Sequence, residues 1–558
     1  MAEGSASAAG EMPGQSVRVD TPAQSLTAAA AGRPWLPRWA WPAGLAVVAV
    51  VLFVCYVRLS GTIPDNSDGS DQALQAWDML HGNWLLRGWT VGDVSYYTTE
   101  IPEYMIVEKI IGLGANVIHV AAGLTYTLLV LLAGWLAKGR ATGREGVVRA
   151  LTASGILLAP QLGNAVHLLI QQPDHIGTQV PLLLVFIVLD RGPRRWYIPA
   201  AVAVMLTWVI VSDRIGVFTA ALPLAAVCGL RVFWARVRDR RRLASMWFEI
   251  WLAAAGIVSF GLATLIVSVI KHLGGYTPLP LPTSIGAAGY LGSHVVLTME
   301  GILNLYGADF VRMPAGVALA VALVHLAGVA LALWGFCRAY RRFFSTTDLI
   351  VPVLATGIVF NLAAYIFSTV PSTWFDTREI TAVLPLGAVL AGRQLAEPLI
   401  RARLEPVLAV VLAVYAAALG YGAVQPPVAD NEQPVIGWLE AHHLVTGLGT
   451  YTESNVITLD SGGRVAVRTV TWRHSGAVQR AYESEASWYD PRQSYANFVV
   501  TNTADGGNTA VIPRRDIIAL AGPPAHTYHY KTFTIMVWNH NLLADLGQPP
   551  SAVPGDIP

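Results

Sequence analysis

The chain has 558 residues, 54% of them hydrophobic and 13% charged, with a net charge of +1. Soluble domains carry about 25% charged residues, so this composition excludes a soluble enzyme and points to a polytopic membrane protein. The near-neutral charge gives no electrostatic case for a nucleic-acid partner. Three cysteines, Cys55, Cys228 and Cys337, fall in or beside apolar runs. They suit neither a disulfide framework nor a CxxC metal site.

In chain order, residues 1–40 begin with an Ala-, Ser- and Gly-rich stretch that reads as a disordered cytoplasmic tail. The first apolar run starts near Ala43, too late for a signal peptide, and is expected to stay as a membrane helix. A span needs ~20 largely apolar residues. Eleven are expected, at 41–58, 115–137, 147–170, 178–190, 197–212, 214–232, 248–270, 314–337, 348–369, 379–396 and 405–424. Alternate loops hold the basic residues, from Lys138–Arg149 through Arg191–Arg195, Arg231–Arg242 and Arg338–Arg342 to Arg393–Arg403. Positive loops stay on the cytoplasmic side. The expected fold class is therefore a polytopic α-helical membrane protein with about eleven transmembrane helices. Its N-terminus is cytoplasmic, and an extracytoplasmic mixed α/β domain at 425–558 follows the membrane domain 41–424. The expected location is the cell (plasma) membrane.

The loop 59–114 opens with "PDNSDGSDQALQAWDMLHGNW" (64–84) and holds Asp65, Asp68, Asp71, Asp78, Asp93, Glu100, Glu103 and Glu108. Within 70–86, Ala73, Trp77, Leu80 and Trp84 recur at helical spacing, which predicts a helix lying along the membrane surface. Asp68, Ser70 or Asp71 is placed to cap it. The spacing D-x-x-D-x-x-D does not match a calcium loop. Rigidly placed carboxylates at a membrane face suit general-base work, or stabilisation of positive charge on a sugar ring. Further outer turns, "QQPDHIGT" (171–178), "SDR" (212–214), "IKHLGGY" (270–276) and "FDTRE" (375–379), converge on the same face. In the C-terminal part, "QPVIGWLEAHHL" has helical spacing. "SNVITLDSGGRVAVRTVTW" reads as two β runs about a Gly-Gly turn, and "YANFVVTNT" and "HYKTFTIMVWNHNLL" add strands.

This order of one span, an acidic outer loop, a surface helix, many spans and an outer C-terminal domain resembles the GT-C glycosyltransferases. The likeness is distant, and is to the aminoarabinose and protein-mannosyl transferase type. Ala76, Met79, Gly82 and Trp84 in "SDQALQAWDMLHGNW" follow that family's A-x-x-M-x-x-G-x-W helix. "TTEIPEYMIVEKIIGLG" (98–114) takes the place of its second loop segment, with Glu100 and Glu103 where Lys-Pro-Pro is usual. The resemblance implies an inverting membrane enzyme, a hexosyl or pentosyl transferase. It would move a sugar from a polyprenyl-phosphate donor to a glycan, lipid or protein acceptor on the extracytoplasmic face. It implies Asp68 or Asp71 as the general base. Asp65, Glu100, Glu103 and His175 would orient substrate, and Arg378 with Arg214 would meet the lipid phosphate. A divalent metal fits the number of carboxylates, though no ligand spacing compels one. The rival readings are a membrane transporter or flippase, and a non-catalytic glycan-binding scaffold. A transporter predicts repeated halves and mid-membrane charges, and the sequence shows neither.

Overall fold

The computed structural model describes residues 40–158, 163–238, 240, 242–279, 283–311, 315–473, 476–479, 483–502 and 514–546. The expected tail before Ala40 lies outside them. By packing, Met1–Val48 and Ala49–Pro558 are two units, and the fold and the site both belong to the second.

Among the described residues, eight helices are long and apolar enough to cross a membrane: Pro42–Ser60, Asn116–Lys138, Val217–Val237, Leu243–His272, Val317–Arg341, Ile350–Phe367, Phe375–Arg401 and Glu405–Ala423. The other three expected spans are shorter helices, Gly143–Leu157 with 15 residues and Ile176–Arg191 and Tyr197–Ser212 with 16 each. Two of these stop where the charged turns begin: one starts just after His175 and the other ends just before Asp213. The protein is thus a multi-pass helical membrane protein, with eight long helices rather than eleven of full length.

Ion pairs fix the two ends of the bundle. Arg393, taken from sequence as a loop residue, is 7% exposed and lies inside the helix Val383–Arg401. It pairs with Asp190 and Asp348 at 2.8 Å each and donates to the Leu136 carbonyl. Arg231 donates to the Asp348 carbonyl at the same end. At the far ends of these helices, His175 and Arg378 stand together among carboxylates. The helices Ile176–Arg191 and Phe375–Arg401 thus run the same way, from the His175 and Arg378 end to the Asp190 and Arg393 end. Between the ends, small residues let the helices approach closely. A Cβ on Gly335 would meet the Ala391 backbone at 2.8 Å, and one on Gly123 would meet Val57 Cγ2 at 2.5 Å.

The surface helix forms as Ser67–Leu80, but it does not lie free on a membrane. It packs against the helices Glu100–Ile111 and Tyr451–Asp460. Its buried side chains are Ala73, Leu74, Ala76 and Met79 with Gln72 and Gln75, while Trp84 is 60% exposed. A three-stranded sheet holds this region to the rest. Trp89–Val91 pairs in parallel with Thr277–Pro278 and antiparallel with Ser484–Glu485.

The C-terminal part is mixed α/β. Its six-stranded sheet runs, in spatial order, Gly476–Gln479, Ala466–Arg473, Thr446–Gly449, Phe498–Asn502, Phe533–Val537 and His526–Tyr530. The helix Gln433–Ala441 and three of the expected strands are present. The run before the Gly-Gly turn is a helix, Tyr451–Asp460, and not a strand. Every residue from Glu453 to Leu459 is buried between the sheet and the surface helix. That packing outweighs a helix propensity that differs by only tenths of a kcal/mol for β-branched residues. Thr450-x-x-Glu453 is a helix-start pattern, and the Thr450 hydroxyl does bond Glu453. Gly462 and Gly463 then turn the chain with positive φ of 62° and 76°.

The close helix approach gives a paired test. In an exposed helix interior, Gly→Ala stabilises by about 1 kcal/mol, and a Cβ on Gly261 meets nothing within 4 Å. Gly261→Ala should leave Tm in detergent unchanged or slightly higher. Gly335→Ala should lower it, because overpacking against backbone costs about 1–3 kcal/mol.

Candidate active site

The start of the helix Ser67–Leu80 is capped by Asn66, whose side chain accepts from the Gly69 N–H at 2.9 Å. Neither Asp68 nor Asp71 is needed as the cap, contrary to the expectation. Asp68, freed from that duty, points out of the first turn. Its Oδ2 accepts from Arg378 Nη1 at 3.1 Å, and its Oδ1 accepts from the Tyr451 hydroxyl at 2.5 Å. The Tyr451 hydroxyl also touches Glu483, and Ser67 Oγ donates to the Tyr451 carbonyl. Arg378 Nη1 also holds Asp174 Oδ2 at 3.0 Å, and its guanidinium lies over the Phe375 ring at 4.8 Å.

Behind this pair is a buried network. His175 Nδ1 bonds Asp213 Oδ2 at 3.0 Å, and its Nε2 lies 3.4 Å from Glu379 and 3.9 Å from Asp174. Thr178 Oγ1 donates to both Asp213 and Glu100, at 3.0 and 2.9 Å. His175 itself has φ 34°, a backbone state that side-chain-bearing residues rarely adopt. Burial opposes charge on its imidazole, but Glu379, Asp174 and Asp213 together outweigh burial and push its pKa well above the usual value. Burial raises Asp174 above the ordinary carboxylate range, against the pull of His175 and Arg378. Burial also pushes Glu100 up to about 8 and Asp93 up to about 6, the latter helped by Glu379. Exposure separates the members. The Asp68 and Arg378 side chains are 31% and 29% exposed, whereas those of Asp213 and His175 are 0% and 2% exposed. Asp68 and Glu379, whose side chain is 27% exposed, are the carboxylates of this group open to solvent.

Beside the network is a cavity of about 230 Å³. Its lining includes the polar Asp93, Ser95, Ser212 and Tyr276 and the apolar Ile210, Val211, Phe260, Ala263 and Val267. Arg214 and Lys271 supply its positive charge. Asp213 pairs with His175, so Arg214 is not its simple ion-pair partner.

The structure therefore brings together Asp68, Arg378, His175 and Glu100 of the expected residues, and sets Arg214 in the adjoining cavity. It does not bring in the other three. Asp71 is 2% exposed and accepts from Gln75 Nε2 at 2.5 Å within its own helix. Glu103 accepts from Thr125 at 2.5 Å. Asp65 joins Asp430 and Asp460. Asp376, next to Arg378, closes its own turn with Ser372 and Thr373. Asp93, Asp174, Asp213, Glu379 and Tyr451 were not singled out from sequence as site residues. The turns "QQPDHIGT", "SDR" and "FDTRE" carried a signal for three of them. Nothing local marked Tyr451.

No family model and no curated protein matches this chain. Among solved structures, it is similar to the Archaeoglobus fulgidus oligosaccharyltransferase in its apo form, with 12% identity over 85% of this chain and 71% of that one, at a TM-score of 0.45. The same enzyme in complex with Zn and sulfate gives 11% identity over 82% and 68% of the two chains, at 0.46. ArnT from Cupriavidus metallidurans bound to undecaprenyl phosphate gives 14% identity over 90% and 98%, at 0.41. At these identities and scores the likeness carries no argument about activity. The case for function rests on the residues at the cleft.

Those residues also bear on a metal at this centre. Arg378 and the charged His175 already stand among Asp68, Asp174, Asp213 and Glu379, where a cation would sit. Much of the donor set is therefore paired with the protein's own positive charges.

The buried carboxylates set a pH dependence. In the folded chain Glu100 holds its proton up to about 8, against an ordinary value of 4.5. The folded state thus binds more protons than the unfolded state between these values, and stability falls as pH rises. His175, raised as well, adds stability that is also lost with rising pH. Tm in detergent should be higher near pH 5 than near pH 8. Glu100→Gln should flatten that slope and raise stability at the alkaline end by on the order of a few kcal/mol, read as a higher Tm there.

Proposed function

We propose that this protein is a membrane glycosyltransferase of the GT-C type. It takes a sugar from a polyprenyl-phosphate donor and places it on a hydroxyl of a glycan, lipid or protein acceptor, with inversion. The observation that carries the reading is a partly exposed carboxylate, Asp68, clamped between Arg378 and Tyr451, in a charged network that reaches through Asp174, His175 and Asp213 to the Ser212 and Arg214 edge of a cavity with cationic and apolar residues in its lining. In keeping with the loop charges, the site faces the extracytoplasmic side of the cell membrane and the N-terminus is cytoplasmic. Residues 41–424 form the membrane domain and 425–558 the outer domain.

The chemistry follows from the placement. Asp68 takes the proton from the acceptor hydroxyl as its oxygen attacks the anomeric carbon. The bond from that carbon to the phosphate oxygen breaks, and the lipid phosphate leaves with the electron pair. A base in such a position contributes about 10²–10⁴-fold. Arg378 is already shared by Asp68 and Asp174, so in this reading it orients the base and does not grip phosphate. Arg214 and Lys271 receive the phosphate, and Ile210, Val211, Phe260 and Val267 receive the first part of the lipid. Asp71 has a structural part within its helix.

The test is transfer of label from a panel of polyprenyl-phosphate sugars in membranes. Asp68→Asn should lower transfer by about 100-fold or more at unchanged protein level and Tm. Arg214→Ala should raise the KM for the donor more than it lowers kcat. Transfer that survives Asp68→Asn would remove it as the base. Donor that crosses the membrane unchanged would favour a flippase.

A further inference from the structure

A second acidic group stands apart from the Asp68 network and, among the described residues, has no Lys or Arg paired with it. Asp65 lies in the turn after the first span, Asp430 in the segment that enters the C-terminal part, and Asp460 at the end of the helix Tyr451–Asp460. One carboxylate oxygen from each lies within 4.8 Å of the others.

The Asp65 side chain is fully buried, and neither of its carboxylate oxygens accepts a hydrogen bond. The nearest imidazole is that of His119, whose Nε2 stands 3.5 Å away without a hydrogen bond and whose Nδ1 is engaged by Ser60. Asp460 also has one buried oxygen without a hydrogen bond, its other oxygen accepting from Gln433 Nε2 at 3.1 Å. As the last residue of its helix, Asp460 adds its charge to the negative end of the helix dipole. Asp430 accepts from the Asp65 N–H at 2.7 Å, and its carboxyl lies against that of Asp460. A buried carboxylate that lacks donors is costly, and three converging ones are costlier still.

We propose that Asp65, Asp430 and Asp460 bind one hard divalent cation, Ca²⁺ or Mg²⁺, that fastens the C-terminal part to the first loop. Three carboxylates from three separate segments are the donors that such ions take. No cysteine is near, and a single imidazole is the softest group at hand. The site would also bear on the Asp68 centre, because Asp65 and Asp68 flank the Asn66 cap. This inference does not depend on the glycosyltransferase reading.

The test uses the full chain in detergent, stripped with a chelator and then given Ca²⁺ or Mg²⁺ alone at about 1 mM, within the range that extracellular calcium modules bind. Tm should rise by several degrees with at least one ion, and the size of the rise tells Ca²⁺ from Mg²⁺. In the double variant Asp430→Asn, Asp460→Asn, the stripped protein should be at least as stable as stripped wild type, because the repulsion is gone, and should no longer respond. Equilibrium dialysis of wild type should give one bound ion per chain, which holds the test open if the variant misfolds. No response of wild type to either ion, or an equal response in the variant, overturns the proposal.

Discussion

Arg378 holds two carboxylates with one nitrogen, and the rest of the site is arranged around that contact. Asp68 follows the first span, Asp174 precedes the helix Ile176–Arg191, and Arg378 begins a late helix. An unpaired charge here would cost several kcal/mol, so these segments are obliged to meet. Asp174, the more buried partner, anchors the guanidinium. Asp68, the more exposed one, is presented by it.

The same economy governs the opposite end of the bundle, where Arg393 binds Asp190, Asp348 and a carbonyl at once. Each end is a polar knot, and glycine-lined helix contacts span the distance between them. The two knots differ in what they leave open. Arg393 is enclosed and tied off, while the Arg378 side chain is partly exposed and the buried Glu100, its carboxyl pushed up to about 8, stands behind the group. A structural pair and a working pair are thus told apart by access, not by charge.

The C-terminal part belongs to this site. Tyr451 donates to Asp68 across 383 residues of sequence, and the strand Ser484–Glu485 joins the small sheet of the first loop. The surface helix is trapped between that part and the helix Glu100–Ile111. This is why its buried face is Ala73, Ala76 and Met79 and not the tryptophan stripe that suits a bilayer surface.

Local composition settled what kind of molecule this is. Long apolar runs and alternating basic loops dictate a multi-pass helical protein, because backbone polar groups in lipid must be satisfied within the helix. The acidic turns were legible as well, since charges are rare in such a chain and stand out against it. Asp68, His175 and Arg378 were readable on that ground. Which acids meet was decided only by the tertiary structure. Asp65, Asp68 and Asp71 look equivalent in "PDNSDGSD", yet Asp65 precedes the Asn66 cap, and Asp68 and Asp71, one turn apart in the helix, meet different neighbours. Asp71 meets Gln75 four residues on, but Asp430 for Asp65 and Arg378 with Tyr451 for Asp68 stand hundreds of residues away, and pairing across that distance leaves no local pattern.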